Sequence, residues 1–351
     1  MENPSKESLG WNAFFEAQRN LSFDIARVIS EHKNNYTIVI PSKGTFNAQI
    51  TGKLLFCSDS TTELPKTGDW VHCTVFDNDT VFIHEVLERK TVFSRKSVSS
   101  HGQEHVLGTN LDKIFIVQSL NENFNPRRLE RYLAQAISSG ITPVIILSKA
   151  DLCQNLDGYL NQIKEIIQKT TVIPVSTVTS IGIEKIKLLI NTGETIGFVG
   201  SSGVGKSTLI NTLTQKNALK TGHVSHYDNK GRHTTVSREL ILLPEGGILM
   251  DTPGMREFGI TADENGIEES FHELSALASS CRFQQCTHIH EPGCAVKEAL
   301  EDGSISKHRY ESYIKLKREA ERFSMNNFEK RKKDKKQGKL YKTMKKIKQK
   351  R

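Results

Sequence analysis

The chain has 351 residues, 36% of them hydrophobic and 25% charged, which supports two or three domains with real cores and excludes a disordered polymer. No run of 18 apolar residues occurs, which excludes a helical membrane span, and Met1 to Trp11, with two Glu and no apolar segment, is not expected to act as a secretory signal. Six Cys make no disulfide framework, so a soluble cytoplasmic chain with reduced thiols is expected.

The formal net charge of +8 is unevenly placed: residues 329–351 hold thirteen Lys or Arg against Glu329 and Asp334, leaving the rest slightly acidic. With Tyr341 as its single aromatic, this tail suits sequence-independent phosphate contact rather than base stacking, the alternative being a solvated segment without a partner.

In chain order, residues 1–21 are an N-terminal extension. Residues 22–93 alternate with period two, predicting strands over Phe23–Ser30, Tyr36–Ile40, Phe46–Phe56, Trp70–Phe76 and Val81–Leu87. Five short strands predict a small closed barrel, an OB-fold being the best candidate. Phe46, Phe56, Phe76 and Phe82 are expected mostly in its core, the alternative being a nucleic-acid face. Residues 94–109, polar and bearing Gly and Ser, read as a linker.

Over 110–262 apolar strands alternate with amphipathic helices, predicting an α/β domain whose parallel sheet is covered on both faces. Strands are expected at Ile114–Leu120, Val144–Leu147, Val172–Val175, Thr195–Val199, Leu240–Leu243 and Ile248–Met250. Asn125-Pro126 starts a helix with Leu129, Tyr132, Leu133, Ala136 and Ile137 on one face and Gly140 at its end; Leu156–Gln168 is the next. Residues 263–328 read as a helical, cysteine-bearing domain, followed by the basic tail 329–351.

Gly200-Ser201-Ser202-Gly203-Val204-Gly205-Lys206-Ser207 fits the P-loop pattern in full, after a strand and before a helix opening at Thr208. Glycines let backbone N–H groups turn inward around phosphate oxygens. Lys206 then reaches the β and γ phosphates, and the Ser207 hydroxyl binds Mg²⁺. Asp251-Thr252-Pro253-Gly254 ends an apolar strand 45 residues after Lys206, placing a carboxylate beside the metal and the Gly254 N–H near a γ-phosphate oxygen. In the polar stretch Gly231-Arg232-His233-Thr234-Thr235 one threonine is expected to complete the Mg²⁺ shell, with Thr235 preferred.

Ser148-Lys149-Ala150-Asp151 supplies base selection. An Asp151 carboxylate accepts from guanine N1–H and the 2-amino group, both absent in adenine, while the Lys149 stem covers the base. Val175-Ser176-Thr177 offers a backbone N–H to guanine O6. Base motif first, P-loop second and switches last is the order of a circularly permuted GTPase.

These motifs, together with Asp-Thr-Pro-Gly-Met-Arg-Glu-Phe at 251–258, the preceding barrel and a cysteine cluster, give a chain that resembles, over nearly its whole length, the ribosome small-subunit-dependent GTPase A family (RsgA, also YjeQ or YloQ). The resemblance implies an OB-fold, a permuted GTPase domain and a zinc-binding C-terminal domain. It also implies GTP hydrolysis stimulated by the small ribosomal subunit during late maturation, with rRNA and other assembly factors as partners and a monomer by default. Ser148 departs from the family's usual Asn, so a contact to guanine or to the P-loop is expected to be lost. Met255 stands where many GTPases carry a water-orienting Gln, so slow intrinsic turnover is expected, with His233 a candidate substitute. The rival reading is a nucleotide-gated RNA-binding chaperone with little turnover.

Cys281-x4-Cys286-x-His288-x5-Cys294 gathers three thiolates and an imidazole, a closed structural zinc set. His290 is close enough to compete, and the family's spacing selects His288.

Overall fold

Both faces of the first strand of the barrel are buried. The computed structural model describes residues 3–32, 35–76, 80–96, 104–164, 166, 170–215, 239–251 and 263–325. A short helix, Ala13–Glu16 (α1), precedes Asp24–His32 (β1), Asn35–Ile40 (β2) and Gly44–Ile50 (β3). Gly52–Cys57 (α2) then leads to Trp70–Phe76 (β4) and Thr80–Val86 (β5). The order β1-β2-β3-β5-β4 returns to β1 through a β1–β4 pairing, which closes the expected five-stranded barrel.

Ala26, Val28, Ile38, Val71 and Ile83 line its interior. Their neighbours Ile25, Ile29, Val39 and Trp70 point outward into a second core shared with the rest of the chain. Within the N-terminal extension Trp11 stands edge-on to Trp70, ring centroids 4.7 Å apart. Arg27, wholly buried among them, donates to the Leu9 carbonyl at 3.0 Å and to Thr195 Oγ1 at 3.2 Å, and burial lowers its pKa to about 10.

Two expectations for this region fail. The predicted Phe46–Phe56 strand is β3 followed by α2, because the Thr51 hydroxyl accepts from the Leu54 amide and caps a helix. The phenylalanines are not mostly core. Phe46 is partly buried, but Phe56 on α2 and Phe76 at the end of β4 are 91% and 62% exposed, with half-buried Phe82 edge-on to Phe76.

The expected linker is half of a hairpin. Val92–Lys96 (β6) pairs antiparallel with Glu104–Thr109 (β7), burying Phe93, Val106 and Leu107. Four apolar residues, adjacent in pairs on two short strands, leave too little alternation to register in the sequence.

The α/β domain follows as Lys113–Ser119 (β8), Pro126–Ser138 (α3), Thr142–Ser148 (β9), Leu156–Ile163 (α4), Thr171–Val175 (β10) and Ile183–Lys187 (α5). Thr195–Val199 (β11), Lys206–Thr214 (α6), Glu239–Leu242 (β12) and Ile248–Asp251 (β13) complete it. The helix α4 is shorter than the predicted Leu156–Gln168 span. β10-β9-β8-β11-β13 are parallel, with α3 and α4 on one face and α5 and α6 on the other. The sheet is not parallel throughout: β12 joins β13 by a tight turn, which permits only an antiparallel pair. The far edge of β12 meets β1 at Ser30 and Glu239, so barrel and α/β domain share one eleven-stranded sheet.

Glu264–Ser270 (α7), His272–Ala278 (α8), Ala295–Glu301 (α9) and Lys307–Ser324 (α10) pack around Phe271, Leu274, Val296 and Tyr313. This domain rests on the outer face of α3. At the α3–α7 crossing a Cβ on Gly266 would fall 2.7 Å from the Ala134 carbonyl oxygen and closer still to Ser138 Oγ. Buried Arg309 of α10 donates to Glu130 of α3 at 2.9 Å and to Glu273 at 2.6 Å, its guanidinium 3.9 Å from the Phe271 ring centre. Among the described residues no helix is long and apolar enough to cross a membrane.

Candidate nucleotide site and metal centre

β11 lies between β8 and β13, and the chain leaves its C-terminal end into the P-loop. Gly200, Gly203 and Gly205 take φ of 149°, 76° and 96°, in the region that disfavours side chains. A Cβ on Gly200 would collide with the Val117 carbonyl oxygen. Val204 is fully buried and pins the loop to the core under α6. Gly205 caps α6 and has no side chain to accept from the first-turn N–H groups, and Ser207 and Thr208 lie in that turn. Lys206 Nζ donates to the Gly200 and Ser201 carbonyls at 2.7 and 2.8 Å, which bends the ammonium over the loop. A glycine cradle, first-turn N–H donors without a side-chain cap and an ammonium held above them fit a polyphosphate with its Mg²⁺.

The base motif reaches this loop from β9. Ser148 is buried, and its hydroxyl donates to the Val204 carbonyl at 2.6 Å, with the Gln118 carbonyl of β8 at 3.3 Å. The P-loop half of the contact expected to be lost is therefore present. Lys149 takes a left-handed φ of 60° and starts the single turn Ala150–Leu152, which carries Asp151 to the surface. Ser176 is buried beyond β10, its amide donating to the Ile181 carbonyl at 3.0 Å. Its Oγ accepts from the Val178 and Thr179 amides at 3.2 and 3.1 Å. Ser176 thus builds the turn, and its own amide already has a partner.

Asp251 closes β13, its backbone opposite Glu239 and one strand from the P-loop strand. His233, Thr235 and Gly254 lie outside the described residues, as does the basic tail 329–351.

Sequence reasoning missed Asn123, in the β8–α3 connection. Its Nδ2 donates to Ser201 Oγ at 3.1 Å and to the Ser202 carbonyl at 3.4 Å, and its Oδ1 accepts from Arg128 Nη1 at 3.1 Å. Asn121, Asn123 and Asn125 read alike in sequence as turn and cap residues, and only Asn125 caps α3.

In the C-terminal domain Cys281, Cys286, His288 and Cys294 bring their ligand atoms within 4.8 Å of one another. Cys281 and Cys294 Sγ are 3.8 Å apart, and each lies 3.5 Å from His288 Nδ1. A tetrahedron with metal–sulfur bonds of about 2.3 Å and a metal–nitrogen bond of about 2.0 Å has edges of about 3.8 and 3.5 Å, so the set fits a metal ion. Burial, then the nearby Lys317 charge, lowers the His288 pKa, which keeps the imidazole neutral and able to ligate. The Tyr310 hydroxyl of α10 donates to the His288 carbonyl at 2.6 Å.

Among known proteins, the family model described as RsgA GTPase matches residues 86–261, half of the chain. The chain belongs to the RsgA GTPase family. An ABC transporter model also matches residues 183–347, a span that includes the P-loop. "Small ribosomal subunit biogenesis GTPase RsgA" of Opitutus terrae is 41% identical over 326 residues, 89% of each chain. "Small ribosomal subunit biogenesis GTPase RsgA 1" of Bacteroides thetaiotaomicron is 41% identical over 349 residues, 98% of each. YjeQ from Thermotoga maritima superposes with a TM-score of 0.64 at 27% identity, covering 85% of this chain and 98% of that one. YloQ, a circularly permuted GTPase, shares the fold with a TM-score of 0.60 at 22% identity, covering 88% of this chain and 99% of that one. Like other members of the RsgA family, this chain is a GTP-hydrolysing P-loop enzyme whose base motif precedes its P-loop, and guanine nucleotide and Mg²⁺ go with that family.

Proposed function

We propose that this GTPase binds the small (30S) ribosomal subunit and its rRNA in its GTP state, assists late maturation of the subunit in the cytoplasm, and leaves after hydrolysis. The observation that carries the reading is a P-loop braced by Ser148 and Asn123 in a chain about 41% identical, over most of its length, to RsgA proteins named for that task. Lys206 neutralises phosphate charge, Gly200 to Thr208 orient the phosphates through backbone N–H groups, and Ser207, Thr235 and Asp251 hold Mg²⁺. Asp151 and Lys149 select guanine, helped by Ala150 and the turn at Ser176. Gly254 meets the γ-phosphate, and His233 orients water once the subunit is bound. Bound nucleotide supplies the phosphoryl group and, with Met255 in place of a Gln, turns over slowly until stimulated.

Cys281, Cys286, His288 and Cys294 hold one structural zinc ion, since four protein ligands leave no position for water. The exposed Phe56 and Phe76 rings favour stacking on unpaired RNA bases, and the thirteen cations of the tail favour phosphate contact.

The test is GTP turnover by the protein alone and with salt-washed small subunits, ATP serving as the control. Strong stimulation specific to GTP supports the proposal. Tight GTP-dependent subunit binding without stimulation points instead to a nucleotide-gated RNA-binding chaperone.

A further inference from the structure

The P-loop and the metal domain are fastened to the same helix. On the nucleotide side, Arg128 of α3 donates to Asn123 Oδ1, Asn123 Nδ2 donates to Ser201 Oγ, and the Ser201 carbonyl accepts from Lys206 Nζ, at 3.1, 3.1 and 2.8 Å. On the other side, three ion pairs join α3 to α10: Arg127 with Glu311 at 2.6 Å, Glu130 with Arg309 at 2.9 Å and Arg131 with Glu319 at 2.9 Å. The Glu130–Arg309 pair is buried, so it resists sliding of α10 along α3. Next to Arg309 on α10, Tyr310 holds the carbonyl of the metal-ligating His288.

We infer that Asn123 is a positioning residue for the nucleotide site, and that through Arg128 and α3 the seating of the metal domain sets the P-loop that Asn123 braces. The inference rests on the P-loop binding guanine nucleotide and is independent of the ribosomal partner.

Physically, Asn123 fixes Ser201 and Ser202 within the loop whose backbone N–H groups face the phosphates. Without that brace the loop samples other conformations, and binding is reduced by the fraction that is competent. A helix with both attachments moves as one body, so a shift at α10 arrives at Asn123 as a displacement of Arg128. The route is separate from residues 252–262, which join the same two domains through the chain itself.

The test uses the full-length, metal-loaded protein without ribosomes. Asn123→Ala is expected to raise the GTP KM and the GDP Kd about tenfold while turnover at saturation stays within about twofold, the pattern of lost loop preorganisation. Asn123→Asp keeps the acceptor for Arg128 and the side-chain size but loses the donor. It is expected to do the same, and it serves if the alanine variant does not fold. Tyr310→Phe removes only the hydroxyl over His288; it is expected to raise the GDP Kd about threefold alone and to add nothing in the Asn123→Ala background. A folded Asn123 variant with unchanged nucleotide affinity overturns the brace. Multiplicative effects in the double variant, or none from Tyr310→Phe, overturn the coupling. The subunit-stimulation experiment is untouched by either result.

Discussion

The hydroxyl of Ser148 donates to the carbonyl of Val204 at 2.6 Å, joining the base motif to the P-loop past the intervening strand β8. A serine thus performs one of the tasks expected of an asparagine at this place. Ser148→Ala leaves the buried Val204 carbonyl without this donor, which costs about 1–2 kcal/mol. Urea unfolding should show that loss, and titration with a fluorescent GDP should show a weaker complex.

The role proposed for Asp151 is discrimination between bases. Asp151→Asn removes the acceptor for N1–H and the 2-amino group and supplies a donor suited to a 2-oxo group. Affinity for GTP is expected to fall at least about a hundredfold, with xanthosine triphosphate becoming the better ligand. Competition binding with the two nucleotides measures the exchange directly.

His233 is assigned to the stimulated step alone. The His233→Ala variant should bind GTP and small subunits like the parent and turn over at the same slow rate without subunits. With subunits, stimulation should drop by about 10²-fold or more. Full stimulation would transfer water positioning to another residue.

Metal binding at the cysteine cluster depends on pH in a definite direction. Burial pushes the Cys294 thiol up to about 12 in the metal-free site, so at neutral pH an incoming ion must displace its proton. Affinity therefore rises with pH, by about tenfold per unit for each proton released, and falls as acid returns those protons. Competition against a chromophoric chelator at two pH values counts them. Stripping the metal, or Cys294→Ala, should loosen the core around Phe271 and Tyr313 and release a separate low-temperature melting step.

The P-loop, Gly200 to Ser207, and the cysteine cluster, Cys281 to Cys294, were legible because each is one short stretch of chain. Asn123 was not, since its partner Ser201 is 78 residues away and its neighbours Asn121 and Asn125 use the same side chain for local turns. The barrel was legible from its alternation, except where the Thr51 cap replaced the end of a strand by a helix. The exposed Phe56 and Phe76 show that aromatic content alone does not tell a core from a face. The antiparallel β12 follows from the tightness of one turn, a property that lies in backbone geometry rather than in hydrophobic period.

The β1–β12 junction has a consequence for how the molecule can be divided. A fragment beginning after the barrel would keep every motif named above, yet β12 would become the open rim of its sheet, and Leu240 and Met250, now buried beside barrel residues, would meet water. Unpaired rims with apolar flanks recruit other strands, so such a fragment is prone to assemble with itself. The barrel is the lateral closure of the enzyme, and it was never free to be an appendage.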